Sequence, residues 1–339
     1  MTIQIREGFL KRYREVTAIR WEDVACNLCG SERSSYLFTL RDYRYLTDQI
    51  DFNVVRCAKC SLVRVNPRPL ESDIHRYYHD DFYRGQESRE EALKNMEPQC
   101  RAMAGHVNRY PKGRMLDIGC FRGEFMEYMR AEHGWDVAGV EFSERPPNYF
   151  GLDIFYGDIA DAPYPEESFD VVTLWAVLEH VYDPSRMLAQ VHRFLKPGGA
   201  VIILVPNFNS IPGRFMRQDD VPRHLTMFTR ATLGRMLKNN SLDPIDWSCG
   251  QDLYGGSVRG FLNFIVKRVG GEPITEILGQ NRPADSGRWP EFAGSINGRQ
   301  SSFLRHVDAI DQWLAPRLDR VLDALGFGFT MTVHARKRS

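Results

Sequence analysis

The sequence has no apolar run approaching the ~20 residues that a helix needs to cross a bilayer, so no membrane span is expected. The segment Met1-Thr-Ile-Gln-Ile-Arg6 lacks the basic-then-apolar plan of a secretory signal, and a cytoplasmic location is the expectation. Net charge is also missing: 44 Lys and Arg balance 44 Asp and Glu. A broad nucleic-acid surface is usually strongly basic, so this balance speaks against one. There is no internal repeat and no low-complexity tract. What is left is an ordinary globular composition, 43% hydrophobic, in 339 residues, enough for one large or two small domains.

A dinucleotide-binding turn is absent too. Such a site needs G-x-G-x-x-G, because a pyrophosphate must rest on bare backbone at a helix N-terminus. Here Gly119 and Gly123 stand in the spacing G-x-x-x-G, after the short apolar run that begins at Arg114 and before a helical pattern. Past that helix, Val137-Ala-Gly-Val-Glu141 reads as a second strand ending in a carboxylate. This is a βαβ unit suited to a nucleoside: the glycines admit the backbone close to a ligand, and Glu141 can accept hydrogen bonds from ribose hydroxyls. Asp117 stands just ahead of the first glycine. A carboxylate there would repel a pyrophosphate but suits an ammonium group. S-adenosylmethionine (SAM) carries an ammonium, a sulfonium and a ribose, and no phosphate, so the turn favours SAM over NAD.

With these residues the chain resembles the class I SAM-dependent methyltransferases. The resemblance runs in family order from Arg114 to Pro206: Tyr156-Gly-Asp158-Ile159 after strand three, Ser168 to Val181 around strand four, and Leu195 to Pro206 into strand five. It implies an α/β fold, a Rossmann-like sheet of seven strands whose last strand is antiparallel and inserted between strands five and six. Phe327 to Ala335 alternates cleanly and is expected to be that strand. It also implies a site. Asp117, Gly119 and Cys120 would line the methionine end of SAM, with Gly123 in the same turn. Glu141 would hold the ribose with Phe142 beside the adenine. Asp158 and Ile159 would hold the adenine, and Trp175 would lie under the cofactor. The family often has a third glycine where this chain has Phe121. A bulky residue disfavours a positive φ, so the turn is expected to pass through an ordinary backbone region there.

Four of the seven cysteines form two pairs, Cys26-Asn-Leu-Cys29 and Cys57-Ala-Lys-Cys60. Two such knuckles can place four thiolates around one zinc ion. Tyr36 to Leu40 and Phe52 to Arg56 alternate like strands of a small ribbon between them. A site closed by four cysteines would be structural, and a ribbon too small to fold on its own core would draw its stability from the metal.

The expected organisation is an N-terminal helix and four-cysteine ribbon over 1–69, a helical connector over 70–110, a SAM-binding core over 111–253, a helical insertion over 254–322 and a final core strand over 323–339. The order of paired cysteines, Pro-x-Pro and a Tyr-rich stretch resembles a bacterial methyltransferase subgroup that includes enzymes acting on nucleotide-linked sugars. In that subgroup tyrosines close over SAM, which makes Tyr78 and Tyr83 candidates. The insertion is a candidate lid, acceptor pocket or oligomer contact.

Methyl transfer from a sulfonium is an in-line displacement helped chiefly by alignment, and a hydroxyl or carbon-acid acceptor also needs a base. Histidine titrates near neutrality. His180 follows strand four, at the carboxyl edge where ligands bind in such sheets. His224, followed by Phe228, resembles the base of the sugar-methylating relatives in the loop after strand five, although Val221 stands where a tyrosine is expected. Arg214, Arg217 and Arg223 in that loop would suit a phosphorylated acceptor. The expected activity is methyl transfer to a small molecule with no nucleic-acid partner. An RNA methyltransferase that uses the ribbon for binding, and a catalytically silent SAM-binding scaffold, are the alternatives.

Overall fold

The computed structural model describes residues 19–43, 45, 47–78, 88–143, 147–216, 219–250, 258, 260–271 and 302–338. In chain order its strands are β1 (Trp21–Glu22), β2 (Ser34–Leu40), β3 (Phe52–Cys57), β4 (Val63–Val65), β5 (Arg68–Pro69), β6 (Arg114–Ile118), β7 (Asp136–Glu141), β8 (Ile154–Tyr156), β9 (Phe169–Trp175), β10 (Leu195–Pro206), β11 (Thr226–Met227), β12 (Leu242–Gly250) and β13 (Thr330–Lys337). The chain divides into two compact units. One consists of Met1–His79, Pro206–Thr229 and Cys249–Thr330, the other of Asp80–Val205, Arg230–Ser248 and Met331–Ser339. Among the described residues no helix is long and apolar enough to cross a membrane.

The sheet unit is built on seven strands in the order β12-β13-β10-β9-β6-β7-β8. β6 pairs in parallel with β7 and β9, β7 with β8, and β9 with β10. Its central strands are apolar almost throughout, with Met115, Leu116, Ile118, Val171, Val172 and Leu174 fully buried, as a sheet covered on both faces requires. β13 runs antiparallel, as expected. Its last residue, Lys337, donates from Nζ to the carbonyl of Leu195 at the start of β10 (2.9 Å), and the Arg338 N–H reaches Ser241 O just before β12 (2.9 Å). The strand order reverses between β6 and β9, and the carboxyl ends of those two strands form the switch point where ligands bind in open parallel sheets.

The helices on this sheet follow local rules. Ser88 and Glu91 form a reciprocal capping box at the start of helix Arg89–Val107. Asp183 accepts from the Arg186 N–H at 3.0 Å ahead of Pro184, and helix Pro184–Phe194 buries Met187, Leu188, Val191 and Phe194. It ends at Phe194 because β10 begins at Leu195.

The ribbon unit contains a four-stranded antiparallel sheet in the order β11-β4-β3-β2. β11 comes from the loop after strand five: Thr226 pairs with Arg64 and Met227 with Val63. The core under this sheet joins Phe38, Leu40, Phe52, Val54, Val63 and Val65 to Phe208, Val221, Met227 and Phe264. The ribbon's own strands supply only part of this core, and later segments of the chain complete it. The units also cut across the expected domains. Residues 206–229 join the ribbon rather than the SAM-binding core, and helix Phe261–Val269 of the expected insertion supplies Phe264. Helix Ser302–Ala324 is tied to the first turn of that helix, with the Asp311 carboxylate accepting from the Leu262 N–H at 3.2 Å and Asp319 from the Val258 N–H at 2.9 Å. The expected N-terminal helix falls outside the described residues for positions 1–18.

A shared core makes the insertion helix part of the ribbon's stability. Phe264→Ala is expected to destabilise the protein by about 3 kcal/mol in urea unfolding. A change within about 0.5 kcal/mol, the range of a surface substitution, would mean that the helix packs independently of the ribbon.

Candidate functional site

Parallel register places Asp117, the fourth residue of β6, beside Thr173 on β9 and Gly139 on β7. The Thr173 hydroxyl donates to Asp117 Oδ1 at 2.6 Å. Asp117 is 3% exposed. Burial pushes its carboxyl up to about 7; the Thr173 bond opposes this and the charge of Glu141 adds to it. Glycine is required on either side. Gly119 has φ +72°, and a Cβ on it would lie 2.5 Å from Val177 Cγ2. On β7, a Cβ at Gly139 would lie 2.7 Å from Cys120 Sγ. Cys120 is buried, and its thiol is raised well above the ordinary range by burial and by the carboxylates of Asp117 and Glu141. It is a packed thiol and no nucleophile.

Glu141, at the end of β7, decides the shape of the turn. Its Oε2 accepts from the Phe121 N–H at 2.8 Å and its Oε1 from the Ser143 N–H at 3.2 Å. Burial raises its carboxyl and these backbone donors lower it again. Phe121 has φ +51°, so the expected ordinary conformation is corrected to a left-handed one. The cost of roughly 1–2 kcal/mol for a residue with a Cβ is offset by a hydrogen bond to a carboxylate, worth ~1.5–3 kcal/mol. The Arg122 guanidinium lies over the Phe121 ring at 5.0 Å. Gly123, with φ +85°, then starts helix Glu124–His133; a Cβ there would lie 2.6 Å from Leu152 Cδ1.

The other residues expected around a nucleoside sit in the same unit. Phe142 follows Glu141 and is 46% exposed. Asp158 follows β8 and caps a single turn over Ile159–Asp161, accepting from the Ala160 N–H at 2.8 Å, with Arg186 at 3.3 Å from its other oxygen. Ile159 is buried. Trp175 ends β9, edge-on to Phe125 at 5.7 Å. His180 closes a single turn, Leu178–His180, just past the same strand.

In the ribbon unit the sulfurs of Cys26, Cys29, Cys57 and Cys60 all lie within 4.8 Å of one another, with Cys26–Cys60 at 3.4 Å and Cys29–Cys57 at 3.5 Å. Tetrahedral thiolates at Zn–S ~2.3 Å are ~3.8 Å apart, so the set fits a zinc-sized ion. The two knuckles share one geometry. The Cys26 N–H reaches Ser31 O at 3.0 Å and the Cys57 N–H reaches Leu62 O at 2.8 Å. The residue after each second cysteine, Gly30 or Ser61, has φ +67°. Ser61 therefore stands where a glycine fits best.

His224 is buried in the ribbon unit. Its Nδ1 lies 2.6 Å from Asp219 Oδ1, and its N–H donates to Asp220 O at 2.8 Å. Asp219 was not singled out from sequence, and an acidic residue five positions ahead of a histidine carries no pattern of its own. Arg223 is corrected from a candidate phosphate contact to a structural cation. It is buried, with donors aimed at the carboxylates of Asp220 and Asp42 and the carbonyl of Tyr77. Arg214 is exposed, and Arg217 lies outside the described residues. Tyr78 is half-buried at the end of the single turn His75–Tyr77. Its neighbour Tyr77 is fully buried and donates to Asp48 at 2.7 Å. Tyr83 lies outside the described residues.

Residues 89–246 match the family model described as a methyltransferase domain. Over these residues, a little under half of the chain, the protein is similar to methyltransferases. This domain is similar to a ubiquinone biosynthesis O-methyltransferase of Pseudomonas aeruginosa (strain UCBPP-PA14), 37% identical over 106 residues that make up 28% of this chain and 45% of that protein. A demethylmenaquinone methyltransferase of Lysinibacillus sphaericus (strain C3-41) is 28% identical over 118 residues, 32% of this chain and 50% of that protein. The chain spans about half the length of these curated relatives. A solved SAM-dependent methyltransferase from Archaeoglobus fulgidus is 21% identical with a TM-score of 0.43, over 76% of this chain and 97% of that one.

Two predictions follow from the geometry of the methyltransferase domain and the knuckles. Because the Asp117 carboxyl is raised from an ordinary 3.8 to about 7, the folded state binds the proton more tightly than the unfolded one. Its contribution to stability is therefore full below pH ~4 and is lost as pH rises through ~7, a difference on the order of 4 kcal/mol. Asp117→Asn in the ligand-free protein should raise the thermal midpoint at pH 8 and leave it nearly unchanged at pH 4. Equal shifts at both values would show that the carboxyl is not perturbed. Ser61→Gly should stabilise the ribbon by about 0.5–1 kcal/mol, because it removes a left-handed Cβ. Chemical denaturation would show this, and a loss of stability would contradict the backbone described here.

Proposed function

We propose that the protein transfers a methyl group from SAM to a small-molecule acceptor carrying a hydroxyl or an acidic C–H, such as a nucleotide-linked sugar or a natural-product scaffold. SAM supplies an electrophilic methyl group on a sulfonium. The observation that supports this reading best is the buried Asp117 carboxyl beside Thr173 at the switch point of the sheet, a group whose ionisation a nearby ammonium would favour. In this reading Asp117, Gly119, Cys120 and Gly123 surround the methionine end of the cofactor. Glu141 holds the ribose, Phe142 lies beside the adenine with Asp158 and Ile159, and Trp175 lies beneath.

His224 is the base we assign. A short bond from Nδ1–H to the Asp219 carboxylate fixes the tautomer and directs basicity to Nε2. His180 is the second candidate, on its place after β9. Cys26, Cys29, Cys57 and Cys60 hold one structural zinc ion that closes the two knuckles.

Calorimetric titration with S-adenosylhomocysteine should give micromolar binding, with none to NADH. Asp117→Ala and Glu141→Ala should each abolish that binding and leave the protein folded. Undiminished binding in both variants would sink the assignment of the site. With an acceptor found by screening nucleotide sugars, His224→Gln should lower kcat by about 10²–10⁴-fold at unchanged S-adenosylhomocysteine affinity. Metal analysis should find one zinc per chain, lost in Cys57→Ser; a protein purified with iron or no metal would refute the zinc assignment.

A further inference from the structure

We infer that Asp42 and Arg223 are positioning residues for His224, forming a buried ion cluster by which the ribbon holds the base in its working orientation. This rests on the reading of His224 as the general base. Arg223 is the residue before it in the chain. Its Nη2 donates to Asp42 Oδ1 at 2.7 Å, its Nε to Asp220 Oδ1 at 2.9 Å and its Nη1 to the Tyr77 carbonyl at 2.8 Å, and its guanidinium lies 4.7 Å from the centre of the Tyr45 ring. Asp42 is held in turn by the Tyr45 N–H at 3.1 Å and by both the hydroxyl and the N–H of Thr47. On the other side of His224, the Leu225 carbonyl accepts from the Val65 N–H at 3.0 Å, and Thr226 and Met227 pair with β4. The base is thus anchored on the residue before it and the residue after it, both times to the ribbon.

Stability alone does not account for such a cluster. Apolar residues of the same volume would hold a core at least as well as a buried ion pair. What a guanidinium fork adds is orientation, because its donors accept only one arrangement of partners. One guanidinium here serves two carboxylates, so Asp42→Asn leaves Arg223 paired with Asp220 and the cluster neutral; the variant is expected to fold.

The test is a double-mutant cycle on the full-length, zinc-loaded protein. Asp42→Asn should lower kcat about 10–100-fold, with KM, zinc content and S-adenosylhomocysteine affinity at parent values, since displacement by about 1 Å costs up to that factor. The same substitution made in His224→Gln should cause no further loss, because a residue that acts through the base has nothing left to position. Arg223→Lys, which keeps the charge but loses the fork, should repeat the pattern if Asp42→Asn does not fold. A kcat within twofold of the parent in Asp42→Asn, or an equal loss in both backgrounds, would overturn the inference and leave the base assignment standing. Parent activity in His224→Gln itself would remove the base assignment and the positioning role together.

Discussion

A carboxyl group shut away from water at the end of β6 dictates the surroundings of the candidate cofactor site. Asp117 could sit in a purely apolar environment only as the neutral acid. The parallel register gives it Thr173 as a donor and keeps Gly139, which has no side chain, on its other flank. One strand over, Glu141 faces the same shortage of solvent and meets it with backbone donors taken from the turn after β6. Those bonds bend Phe121 into a left-handed conformation and so shape the turn. The glycines follow from this geometry, since at Gly119 and Gly123 a methyl group would collide with Val177 and Leu152.

The ribbon works under a different constraint. Its strands are short and its sheet is only four strands wide, so it cannot bury enough apolar surface alone. It completes its core with Phe208, Val221 and Met227 from the loop after strand five and with Phe264 from the insertion. The same loop carries His224 and Asp219. Metal knuckles, apolar core and candidate base thus belong to one folding unit, which gives the ribbon a role that needs no nucleic acid.

The methyltransferase sheet was legible from the sequence because its signals are local. A strand that ends in Asp117, a glycine turn, a helix and a strand that ends in Glu141 lie within about thirty residues, and their periodicity and turn chemistry identify them without knowledge of distant partners. The alternation of β13 was readable for the same reason. The conformation of Phe121 was not. Side-chain size argued for an ordinary φ, and the carboxylate that outweighs that preference lies 20 positions further on.

By itself, the sequence determined the βαβ unit from β6 to β7, the glycine turn within it and the two C-x₂-C knuckles, all of which depend on neighbours a few residues apart. Only the tertiary structure decided that residues 206–229 belong with the ribbon, that Asp219 orients His224, and that Arg223 is held by Asp42 and cannot serve an acceptor phosphate. Asp42 and Arg223 are 181 positions apart. No periodicity links such residues. Their pairing exists only once both are buried in one core, where an isolated charge would be too costly to leave without a partner.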